Sequence, residues 1–378
     1  MALTKVSYSM ISGSILNIVD FGAVCDGTTN DTVAVQAAIT AIGATATTLF
    51  IPGNTKIYSA LTFGANTQLN FAQGGKFTGN AGTELIQVQQ QIIAGRGQIF
   101  SNCLARATTS QNVCPEWFGA VNDGTTDCAA AFNSAVYYLQ NVGGIVDMLG
   151  GSYSVASTVT INKNKITFQG AGNNVTYIKA AAAAVYPLRI LGTALLSVAN
   201  VMLRDFSIIT VDSNNTTVGL QIDYAAFTML ERMQIQDFSV GMSMLAATNT
   251  QATKIGATYT GANNNFIGFS ISGAAGGNPS SIFRDCYASG VSGKTGQIGF
   301  KMFGVYMSDF QFHNCETAVT NYGFELDYST APNFNVDVIL QNPIVDRYTE
   351  QGIYIHDLAN NGICMIYGGY TNPATTGI

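Results

Sequence analysis

One short pattern recurs in the second half of the chain. Gly-Φ-x-Φ, with Φ a large apolar residue, reads GLQI at Gly219, GMSM at Gly241, GFSI at Gly268, GFKM at Gly299, GFEL at Gly323 and GIYI at Gly352. The spacings are 22, 27, 31, 24 and 29 residues. Short alternating strands at a period of roughly 20–30 residues are the signature of a solenoid. Alternation along a strand turns each Φ inward and each x outward. GVYM at Gly304 and GICM at Gly362 fall out of step and read as other strands of the same turns. Between the repeats lie VMLRDFSII (201–209), LERMQIQDFSV (230–240) and MSDFQFHNCETAV (307–319), with apolar residues two apart and Asn, Asp or Gly at the corners. A β-sandwich also has many short strands, and irregular spacing alone does not exclude it.

A second repetition lies upstream. Asp20–Ile39 and Trp117–Val136, offset by 97 residues, are identical at ten of twenty positions. Each copy is a short extended segment, a Gly/Asp/Thr turn and a helical stripe: Val35, Ile39 and Ile42 in the first, Phe132, Val136 and Leu139 in the second. Apolar residues at i, i+4 and i+7 make one buried helix face. Asp31 is placed to cap the first helix, and Thr126 or Asp127 the second. Gly27 and Gly124 permit a tight turn. A strand-rich run follows each helix. Asp26, Asp31, Asp123 and Asp127 therefore read as turn and cap residues with no catalytic role.

The string DFGAVCDGTTND, then a helix, a Gly-rich turn and a strand, resembles the opening of right-handed parallel β-helix proteins of the pectate-lyase superfamily (type 3). PEWFGAVNDGTTD at Pro115–Asp127, after GRGQIFSN at Gly95–Asn102, resembles bacteriophage tailspikes and tail fibre proteins more closely. MALTKVSYSMISG resembles their virion-anchoring N-termini. The resemblance is specific over residues 1–185 and architectural beyond. It implies an all-β chain: a right-handed single-stranded parallel β-helix over 114–378 with a short capping helix, preceded by a small β-rich domain over 1–113. It also implies a homotrimer in the virion tail, with other tail proteins as partners of the N-terminal region and a host surface polysaccharide as partner of the β-helix.

Composition narrows the partners. Charged residues are 10% of the chain, net charge is −6, and no Lys/Arg cluster occurs, which argues against nucleic acid. A surface of hydroxyls and amides suits sugars. The seven cysteines have no CxxC spacing and read as small buried hydrophobes. No secretory signal pattern and no 18-residue apolar run is present, so the expectation is synthesis in the host cytoplasm without a signal peptide and no membrane insertion.

The resemblance names no reaction. Polygalacturonases of this fold carry Asn-Thr-Asp, Asp-Asp, Gly-His-Gly and Arg-Ile-Lys, and this chain has none of them. The outward positions two and four after the repeat glycines are Gln221/Asp223, Ser243/Leu245, Ser270/Ser272, Lys301/Phe303, Glu325/Asp327 and Tyr354/His356. Coils stacked about 4.8 Å apart bring Lys301, Glu325, Asp327, Tyr354 and His356 onto one patch. Glu325 and Asp327, with Cα atoms about 6.6 Å apart on one strand, suit a glycosidase pair of about 6.5–9.5 Å for inversion or about 5–5.5 Å for retention. One carboxyl, its pKa raised by the other, protonates the glycosidic oxygen while its partner activates water. Tyr354 and His356 border the sugar, and Lys301 holds an acidic one. The competing reading is a Lys301–Glu325 ion pair on a solvated face. Glu350 is the second-choice carboxylate. Asp205, Asp237, Asp285, Asp309 and Asp346 recur at coil corners and read as turn residues. His313 and His356 stand alone, so neither metal nor cofactor is expected.

Three functions follow. The first is a tailspike-type protein that recognises and depolymerises a capsule or O-antigen by glycosidic cleavage. The second is a non-catalytic receptor-binding or structural tail protein on the same fold. The third is a cellular polysaccharide lyase or hydrolase.

Overall fold

A computed structural model of the chain describes residues 15–181, 186–210, 215–273, 280–304, 308–327, 336–356 and 362–374. The N-terminal MALTKVSYSMISG lies outside the described residues. The chain forms two compact units, Met1–Ala120 with Ala130–Asp147, and Val121–Ala129 with Met148–Ile378.

The first unit is itself a short parallel β-helix. Most of its strands fall into three all-parallel sheets: Ile15–Asn17, Thr47–Ile51 and Thr67–Phe71; Asp26–Asn30, Asn54–Ile57, Lys76–Gly79 and Phe100–Ser101; Leu61–Phe63, Leu85–Val88 and Leu104–Ala107. Leu49, Ile57, Phe63, Leu69, Phe77 and Ile86 fill its centre. Helix α1 (Thr32–Ile42) buries Val35, Ala38 and Ile42. Asp31 makes no cap hydrogen bond to the helix. Its carboxylate instead accepts from the backbone of Val24 at 2.7 Å and Cys25 at 3.1 Å, and Asn30 Oδ1 accepts from Thr32 N at 3.0 Å. The Asp thus ties the preceding turn to the helix, and Asn30 covers the free donor.

Helix α2 (Ala129–Leu139) buries Phe132, Val136 and Leu139 as its stripe requires. Asp127 Oδ1 accepts from Ala129 N at 3.0 Å and from Ala156 N at 2.9 Å. The two repeated turns match atom for atom. Asp26 accepts from Thr28 N, Thr29 N and Thr29 Oγ1, and Asp123 from Thr125 N, Thr126 N and Thr126 Oγ1. These donors hold both carboxyls far below the usual carboxylate range.

In the second unit every coil adds to two parallel sheets. One sheet runs from Gly151–Val155 to Tyr370–Pro373, usually with two strands per coil separated by a bend. The other stacks Val159–Ile161, Leu188–Leu191, Asn215–Asp223, Phe238–Leu245, Ile267–Gly273, Ile298–Gly304, Tyr322–Asp327 and Gln351–His356. Its pairings are parallel, which excludes the antiparallel sandwich.

The repeat glycines sit where a side chain would run into the other sheet. None has a left-handed φ; they are there for room. A Cβ on Gly241 would lie 2.7 Å from Ala257 Cβ, on Gly268 2.5 Å from Ala288 Cβ, and on Gly299 2.3 Å from Thr317 Cγ2. The pairing passes over them, from Val240↔Ile267 to Met242↔Phe269. The Φ positions after them form an aromatic column, with Phe269, Phe300 and Phe324 stacked at 4.5 and 4.9 Å. Phe283 and Phe312 of the other sheet stack at 5.0 Å and meet that column edge-on. Each such pair adds about 0.5–1.5 kcal/mol beyond area burial.

The bend between paired strands is a ladder of left-handed residues: Asp205, Arg232, Lys254, Asp285, Asn314 and Asn342. Side chains bond along it, Asn314 Nδ2 to Asp285 Oδ1 at 3.2 Å and Asn342 Nδ2 to Asn314 Oδ1 at 3.3 Å. Asn and Asp tolerate this conformation best, and four of these six corners are Asn or Asp.

Candidate functional site

The register of the second sheet decides which outward side chains meet. Thr160↔Arg189, Arg189↔Gln221, Gln221↔Ser243, Ser243↔Ser270, Ser270↔Lys301, Lys301↔Glu325 and Glu325↔Tyr354 form one unbroken row along the solenoid. The row two residues on carries Asp223, Leu245, Ser272, Phe303, Asp327 and His356. Lys301, Glu325 and Tyr354 are therefore consecutive on one row, and Asp327 and His356 are neighbours on the next.

Lys301 Nζ lies 3.1 Å from Glu325 Oε1. The Glu325 side chain is 12% exposed and that of Lys301 26%, so the pair is shielded more than an ordinary surface ion pair. The Lys301 ammonium also stands 5.9 Å from the Phe303 ring centre. Tyr354 stacks on Tyr322 at 5.4 Å and meets the His356 ring edge-on at 4.4 Å. Tyr322 donates its hydroxyl to Glu350. That bond, then burial and the negative charge of Glu350, push the Tyr322 phenol up to about 12.

Sequence reasoning passed over Tyr322, which directly precedes a repeat glycine. Only the residues two and four after each glycine were read as outward. The glycine breaks the alternation, so the residue before it also faces the patch. Glu350 comes in from the adjacent coil as the hydrogen-bond partner of that tyrosine.

The opposite end of the same face holds a second charged pair. Arg189 contacts Asp223 Oδ2 through Nε at 2.7 Å and Nη2 at 2.5 Å, and Gln221 Nε2 donates to Asp223 Oδ1 at 2.6 Å. Tyr186, Tyr224 and Leu245 complete a recess of about 340 Å³ around them.

The corner carboxylates are engaged in turns. Asp205 receives Arg232 at 2.6 and 2.8 Å, which holds its carboxyl below the ordinary range. Asp237 accepts from Thr260 N and Oγ1, and Asp346 meets Arg347 at 3.0 Å and Asn372 Nδ2 at 2.9 Å. Asp205, Asp237, Asp285 and Asp309 all have left-handed φ. Among the described residues no three His, Cys, Asp or Glu side chains converge on a metal-sized site.

The family described as rhamnogalacturonase A/epimerase, pectate lyase-like, matches residues 110–339. No curated protein matches the chain in sequence. Among solved structures, the gp42 tailspike of Acinetobacter phage vb_AbaP_AS12 is similar at 15% identity and TM-score 0.50, over 70% of this chain and 52% of that one. ORF18 of Geobacillus virus E2 is similar at 18% identity and TM-score 0.45, over 69% of this chain and 60% of that one. The A-module of Azotobacter vinelandii mannuronan C-5 epimerase AlgE4 gives 17% identity and TM-score 0.42, over 68% and 75%. The chain spans less than two thirds of either viral structure. At these identities the likeness is one of fold.

Proposed function

Because the chain belongs to the rhamnogalacturonase A/epimerase, pectate-lyase-like family, we propose that it recognises a host cell-surface polysaccharide in the manner of a phage tailspike. The polymer lies along the outward face of the second sheet. The observation that carries this reading is the continuous row from Arg189 to Tyr354, in register through every intervening coil. Six steps of about 4.8 Å make it roughly 29 Å long. It offers guanidinium, amide, hydroxyl, ammonium and carboxylate groups in turn, and it ends on the stacked Tyr322–Tyr354 pair. Polar groups placed beside an aromatic surface are the means by which a site orients a sugar.

Cleavage is placed at Glu325 and Asp327. Glu325, an ion-paired carboxylate, takes a proton from a water that attacks the anomeric carbon. Asp327 gives its proton to the glycosidic oxygen as the carbon–oxygen bond breaks, so the two carboxyls change protonation state in opposite senses. Lys301 holds Glu325 in place and Tyr354 supports the ring of the sugar. The chain works as a homotrimer in the virion tail, joined to other tail proteins through its N-terminal region.

A second reading is binding without cleavage, on a receptor-binding or structural tail protein. The 3.1 Å Lys301–Glu325 contact favours it, since the same pair is a sufficient reason for Glu325 to be there. Incubation of the purified protein with capsule or lipopolysaccharide of the host separates the two. New reducing ends that vanish in Glu325→Gln and Asp327→Asn support cleavage. Binding with an unchanged polymer length assigns the protein to the second reading, and neither binding nor cleavage removes both.

A further inference from the structure

The bend side of the other long sheet carries a groove that the Glu325 patch does not use. It has a volume of about 540 Å³. Asn200, Phe227, Asn249, Ser280 and Asp309 follow one another along its floor, one per coil, as the adjoining pairs Met202↔Met229, Met229↔Gln251, Gln251↔Ile282 and Ile282↔Gln311 require. Four of the five are left-handed: Asn200 at φ 58°, Phe227 at 53°, Asn249 at 52° and Asp309 at 57°. For Asn and Asp this corner is ordinary. For Phe it is strained. Phe227 is also 57% exposed, and the adjacent Met229 40% exposed. The fold gains little from an aromatic ring in that position, and the coils on either side show that Asn serves the corner. An exposed apolar pair beside amides and a carboxylate points to binding.

We propose that this groove is a second saccharide site, independent of Glu325, for an uncharged glycan segment. Phe227 presents a ring face to the apolar C–H face of a pyranose. Asn249 and Gln251 lie one coil away to bond its hydroxyls. Asp309, which accepts from Ser280 Oγ at 3.3 Å, is the one charged residue among the described lining residues. No cation stands among the described lining residues, so an acidic sugar would find no counter-charge from them. The volume falls in the usual range for a small-molecule site of about 300–1,000 Å³.

The test uses the full chain against immobilised neutral oligosaccharides of glucose, galactose, rhamnose and N-acetylglucosamine, beside uronate-containing ones. Binding is followed by biolayer interferometry. Neutral members should bind, Phe227→Asn should weaken them tenfold or more, and Asn249→Ala several-fold. Glu325→Gln should keep this binding while losing cleavage, so the two sites fail separately. Phe227→Asn should also melt at the same or a higher temperature than the parent, because Asn relieves the corner. The proposal is overturned if no neutral oligosaccharide binds, or if Phe227→Asn binds as the parent does. It is overturned equally if that variant melts lower or sediments as a smaller species, since Phe227 would then be a packing or subunit contact.

Discussion

Substituting alanine for Gly299 tests a close approach between the two sheets. The new Cβ would stand 2.3 Å from Thr317 Cγ2 and 2.7 Å from the Gly323 carbonyl oxygen. Carbon atoms rest about 3.5–4.0 Å apart, so the methyl groups must separate by about 1.2 Å. Thr317 is fixed by its pairing with Ala288 on one side and Val345 on the other. The carbonyl belongs to the next coil, about 4.8 Å away. Neither neighbour is a flexible chain end, so relaxation is limited. Overpacking of a core costs about 1–3 kcal/mol, and Gly299→Ala should reach the upper end, about 3 kcal/mol. Thr317→Ser removes the clashing methyl at a loss of about 1 kcal/mol of burial. The double variant should then be less destabilised than the sum of the singles by about 1 kcal/mol or more. Urea unfolding followed by circular dichroism gives the energies, and hydrogen exchange in Ile298–Gly304 locates them. A Gly299→Ala chain within about 0.5 kcal/mol of the parent, or strict additivity with Thr317→Ser, would refute the close approach of the sheets.

Three further outcomes are expected. Asp26 and Asp123 have folded pKa values below their unfolded one, so their stabilisation is complete above about pH 4 and is lost as pH falls through the depressed folded values; acid unfolding curves of Asp26→Asn and Asp123→Asn should be flatter in that window. Tyr322 shows the reverse sign: its folded pKa of about 12 lies above the unfolded value of about 10, so its contribution is intact below pH 10 and lost as pH rises through 12. Glu350→Gln should lower the ultraviolet titration midpoint of one tyrosine, and Tyr322→Phe should remove that component. In the bend ladder, Asn314→Ala loses both a tolerated left-handed residue and the Asp285 bond, a cost of about 1–2 kcal/mol; Asn314→Gly keeps the backbone at ease and should melt between Asn314→Ala and the parent.

The solenoid was legible because its two requirements leave marks in the sequence. Φ-x-Φ alternation identified Leu220, Met242, Phe269, Phe300 and Phe324 as lining, and all are buried. The glycines fixed the register that aligns Lys301, Glu325 and Tyr354. Their purpose was not legible: the obstructing groups, Ala257, Ala288 and Thr317, belong to the other sheet, and sequence separation hides that contact. The β-helical nature of the first unit was missed for a related reason. Its strands, such as Leu61–Phe63 and Leu104–Ala107, are two to five residues long and carry no repeated glycine marker. The Asp26 and Asp123 turns were read correctly from Asp-Gly-Thr-Thr alone, since all their bonds are local. Phe227 was invisible to an inward–outward reading, because its distinguishing property is exposure at a bend between coils.

The recurring notch and bend of the second unit have a consequence for change over time. Coils of 22 and 31 residues carry the same glycine notch and the same left-handed bend. Strand pairing joins each ring to its near neighbours in the stack. An outward letter can therefore be rewritten, or a ring lengthened, without retuning the lining, and the molecule behaves as a printing surface whose type can be reset one line at a time.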